Sequence, residues 1–82
     1  MNEIEKEILK NFGGVATEIT FLNPKKVLRQ ADGKDELIEN VTEINITKAS
    51  DITSIGIRYK TEEGEGEVST AIQNIEKIVV MD

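Results

Sequence analysis

Isoleucine outnumbers leucine twelve to four in this chain, and most of the isoleucines sit in alternating patterns. Branching at Cβ leaves few χ1 rotamers in a helix and packs well on a pleated surface, so such a chain is expected to be mainly β. The clearest strand has Ile55, Ile57 and Tyr59 alternating with Ser54, Gly56, Arg58 and Lys60. Residues 61–67 then read TEEGEGE, an acidic glycine-bearing tip, and Val68, Thr70 and Ile72 resume the alternation on the return. This is a hairpin in outline.

The N-terminus departs from that period. Ile4, Ile8 and Phe12 recur every four residues with Leu9 beside them, and Glu3, Glu5, Lys6 and Lys10 occupy the other faces. An amphipathic helix is expected over 3–11, capped by Asn2 with Glu5 three residues on and ended by Gly13-Gly14. Its apolar stripe would lie over an open barrel end or a sheet face. From Val15 the period is two, with Val15, Thr17, Ile19 and Phe21 on one side and Ala16, Glu18, Thr20 and Leu22 on the other.

Asn23-Pro24 reads as a turn, followed by a short strand through Val27, Leu28 and Arg29 to Asp32-Gly33, the strongest hairpin signal in the chain. Between Lys34 and Ser50 two periods compete. A strand from about Leu37 with a bulge near 41–43 is favoured over a helical turn at 35–40, because β-branched residues dominate the second half. After Ile72, the steps of three to Ile75 and Ile78 fit one 3₁₀ turn, with Val79 and Val80 in a short final strand; a helix from Ser69 onward is the competing reading.

Helix, then five or six short antiparallel strands with a one-turn break before the last: over about residues 15–80 this layout resembles the SH3-like or Sm-like small-barrel class. The resemblance is architectural and implies a small barrel or curled sheet. The glycine and aspartate positions typical of Sm proteins have no match here. Phe12, Phe21 and Tyr59 do not reproduce the aromatic groove of SH3 domains, so no functional residue carries over.

At 82 residues the chain is one domain with a small core, and self-association or a partner protein is the expected source of further stability. A net charge of −6 disfavours polyanionic partners, nucleic acid and anionic membranes alike. Lys25, Lys26 and Arg29 flank the proline, and with Lys48, Arg58 and Lys60 they are the cations that a nucleic-acid-associated barrel would use. No apolar run is long enough to span a membrane and no export signal opens the chain, so the expected start is Met1 or Asn2 and the expected location cytoplasmic. The absence of Cys agrees with a reducing compartment. The richness in Ile, Lys, Glu and Asn suits an AT-rich coding sequence, as in low-GC bacteria and their phages.

Chemistry is limited by what is missing. With no His and no Cys, a nucleophile would lack its usual base and a zinc or redox site its usual ligands, so neither enzyme activity, nor a cofactor, nor a metal is expected. Glu62, Glu63, Glu65 and Glu67 bunch on one hairpin, but their spacing does not fit the calcium-loop template and suits a solvated turn. The expected role is therefore a small protein–protein interaction or assembly module. Its candidate contacts are Glu62, Glu63, Glu65 and Glu67 with the outward Ala16 and Leu22, facing a basic partner.

Overall fold

The computed structural model describes residues 18–81, which form five antiparallel strands in one open sheet. They are β1 (Glu18–Ala31), β2 (Lys34–Ala49), β3 (Ile52–Thr61), β4 (Gly64–Ala71) and β5 (Ile75–Met81), with a 3₁₀ turn at Ile72–Asn74. The order across the sheet is β4-β3-β2-β1-β5. The expected helix over 3–11 lies outside the described residues, as does Ala16.

Local chemistry accounts for each reversal. Asp32 and Gly33 take φ of 53° and 73°, the two left-handed residues of a primed hairpin turn whose twist matches the flanking strands. Glu62 and Glu63 reverse β3 into β4, and Gly64 at φ 143° supplies a conformation that a side chain resists. The Asp32 amide donates to the Asn74 carbonyl at 3.1 Å, tying the first hairpin to the 3₁₀ turn.

Two strands are longer than the sequence pattern indicates. Asn23-Pro24 is not a turn between separate strands: β1 runs on through it to Ala31. The register to β2 shifts between Thr20 and Lys25, so the proline sits at an irregularity where its missing N–H costs no ladder bond. The last strand starts at Ile75 rather than at Val79, because Ile75 already pairs with Ala31. The bulge expected in β2 is present, with Asn40 at φ 59° and a register shift between Val41 and Glu43. No helix follows Ser69, where β4, the 3₁₀ turn and β5 run in succession.

The β2 bulge divides the sheet into two halves that share β1 and β2. Residues 34–38 of β2 pair with the end of β1, which pairs in turn with β5. Residues 41–49 pair with β3, which carries β4. Side chains from both halves meet in one core of Val27, Ala31, Ile38, Val41, Ile44, Ile46, Ile55, Ile57, Ile72 and Ile75. Arg29 of β1 donates to Thr70 Oγ1 of β4 although β2 and β3 lie between those strands in the sheet. The sheet is therefore strongly curled.

Candidate functional site

Alternation along the strands decides which side chains the curl leaves for a partner. Val27, Arg29 and Ala31 point inward on β1, as do Ile55, Ile57 and Tyr59 on β3 and Val68 and Thr70 on β4. Tyr59 faces Gly66 across the β3–β4 ladder, and a Cβ on Gly66 would clash with the edge of the Tyr59 ring. The glycine thus gives the ring a bare stretch of backbone to lie on. An open cleft of about 410 Å³ follows, lined by Tyr59, Val68, Ile38 and Leu37, with Glu36 and Glu39 at its rim. Leu37 is 49% exposed. Glu36 is held by Arg29 Nη2 at 3.3 Å, and both Glu36 and Glu39 are exposed.

The outer face of β2, β3 and β4 is polar. Arg58 bridges Glu43 on β2 at 3.5 Å and Glu67 on β4 at 3.2 Å, a charge ladder running across three strands. Asn45 also donates to Glu43 at 3.5 Å. Glu18 lies beside Glu43, and its carboxyl is raised above the ordinary value of 4.5, chiefly by a hydrogen bond to Glu43 and by that residue's charge; Arg58 opposes the shift. Among the described residues, no group of three or more carboxylates is arranged to hold a metal ion.

The four glutamates singled out in the sequence do not form one free acidic tip. Glu62 and Glu63 make the turn, while Glu65 and Glu67 stand on β4 opposite Lys60 and Arg58. Leu22 is fully exposed at the irregular part of β1, apart from the cleft lining. The cleft itself went unread because Leu37, Ile38 and Glu39 fell in the stretch of ambiguous period. The signal that could have located it was Tyr59 paired in a hairpin with a glycine, where ring and bare backbone face each other.

The six cations of the nucleic-acid reading are not gathered on one face. Arg29 turns inward to Thr70 and Glu36, and Arg58 is held on the opposite side of the sheet by Glu43 and Glu67. Among the described residues no helix is long and apolar enough to cross a membrane. Comparison with protein-family models, with curated proteins and with solved structures gives no match for this chain.

Proposed function

We propose that this chain is a small, non-enzymatic interaction or assembly module that takes up a basic segment of a partner protein. The cleft carries this reading: an apolar floor of Tyr59, Val68 and Ile38 beside Leu37 offers an anchor site, and the carboxylates of Glu36 and Glu39 offer charge to a flanking Lys or Arg. The net charge of −6 draws such a segment in, and Glu62 and Glu63 at the end of the same β3–β4 hairpin extend the acidic field. With no His or Cys in the chain, a catalytic role has little to work with. The curled sheet is read as a small barrel of the SH3-like or Sm-like kind, supported by the strand order and by the contact between Arg29 and Thr70.

Association of the barrel with nucleic acid is the weaker reading, since Arg29 and Arg58, which it would use, are engaged within the sheet on opposite faces. The test is selection from a library of displayed decapeptides. Selected peptides should be enriched in Lys and Arg around one apolar residue, and should lose binding about tenfold on Glu39→Lys. Peptides without basic enrichment, or equally well bound after Glu39→Lys and Tyr59→Ala, would refute the reading.

A further inference from the structure

Behind the cleft, the outer face of the β2-β1-β5 half carries an apolar row that nothing among the described residues covers. Leu28 of β1 pairs with Leu37 of β2 on one side and with Val79 of β5 on the other, so the three stand abreast. Met81, 36% exposed, follows beside Lys26. One pair of residues further along β1, Gln30 stands between Asp35 and Lys77, again abreast. Asp35 and Lys77 are exposed, and neither takes part in an ion pair among the described residues.

This pattern complements itself. A two-fold axis running along β1 between two such faces exchanges the β2 side with the β5 side. It sets Asp35 against the partner's Lys77 and Lys77 against the partner's Asp35, with Leu37 over the partner's Val79 and Leu28 over the partner's Leu28. The roughly 30° crossing of aligned sheets is spanned by the lysine stem. An axis across the strands would instead set Asp35 against the partner's Glu39, opposing two carboxylates. The two Lys26 ammonium groups fall at the edge of the patch, where solvent screens them.

We infer that this face is a homodimer interface, formed by the second copy of the chain with its Leu37-Leu28-Val79 row packed on the first and closed by two Asp35–Lys77 ion pairs. Three strands about 4.8 Å apart and three rows about 6.8 Å apart cover on the order of 300 Å², against roughly 800 Å² per partner in a standard interface. The dimer is consequently weak and concentration-dependent. The inference goes beyond the cleft reading, sharing Leu37 with the cleft lining and reaching Glu39 at the edge of the same face.

Sedimentation of the full chain across a range of concentrations tests it. The wild type should dimerise, and Asp35→Lys and Lys77→Glu alone should each weaken dimerisation at least tenfold, since each sets like charges together at both ends of the row. An equimolar mixture of the two variants should restore wild-type association, because both ends then pair opposite charges. That mixture also controls for misfolding, which mixing cannot rescue. A wild-type chain that stays monomeric at every concentration overturns the inference and leaves the face to residues 1–17 or to another protein. A dimer indifferent to both reversals, or not restored by mixing, overturns it too.

Discussion

The two halves of the sheet use the same two strands and opposite surface chemistry. On the β2-β3-β4 side the outer face is laced by Arg58 between Glu43 and Glu67, and its apolar residues, apart from Ile52 exposed at the start of β3, point into the core. On the β2-β1-β5 side the outer face carries Leu37, Leu28 and Val79, while the arginine of that half, Arg29, points inward. A sheet with one core-facing side normally keeps its other side polar. The first half obeys that rule and the second inverts it, which locates the surface available to other molecules without reference to any catalytic group.

The largest expected effect would erase the contrast. Ile44, 1% exposed at the centre of the shared core, should cost about 2–5 kcal/mol when changed to Ala. Because both halves draw on that core, denaturant unfolding should shift as one transition by fluorescence of Tyr59 and by backbone circular dichroism alike. Two separated transitions would mean that the halves are independent.

The two arginines sharpen the comparison next. The Arg29 side chain is 16% exposed and joins non-adjacent strands, so Arg29→Ala should cost about 2 kcal/mol. Arg58, 53% exposed, is the surface counterpart, and Arg58→Ala should cost about 0.5 kcal/mol by the same denaturation measurement. Equal losses would remove the distinction between an internal and an external arginine. Gly33→Ala, at φ 73° in the hairpin turn of the second half, should cost about 1 kcal/mol.

The smallest effect is a pH dependence confined to the polar face. The folded-state pKa of Glu18 is raised, so the native state holds its proton more tightly than the unfolded chain does. Its contribution is fully present below the ordinary carboxylate value of 4.5 and is lost as pH rises through the raised folded value. Glu18→Gln should flatten the stability profile across that window. A profile unchanged by the substitution would show that Glu43 does not raise the Glu18 carboxyl in solution.

Much of the sheet was legible in the sequence because alternation is a local signal: Ile55, Ile57 and Tyr59 mark β3, and Asp32-Gly33 marks the β1–β2 turn outright. The 3₁₀ step at Ile72 and the bulge near Val41 were legible for the same reason. Pro24 misled because its effect depends on whether its N–H has a partner to lose, and that is fixed by the register with β2, a tertiary fact. The cleft and the apolar row were not legible. Leu37, Leu28 and Val79 become neighbours only through pairing across positions up to 51 residues apart in the chain, and no local pattern contains that.

The pairing of β5 with β1 also governs the order in which the molecule can form. The contacts joining β1, β2, β3 and β4 are successive hairpins, each closed by a two-residue turn and quick to nucleate. The ladder from Val27 to Val80 must wait for the ends of a long loop to meet. Until then β1 is a bare edge carrying Leu28 beside Leu37, and an unpaired edge is where one chain recruits another. The rate at which the last strand docks, rather than the stability of the finished sheet, should therefore set how readily newly made chains aggregate.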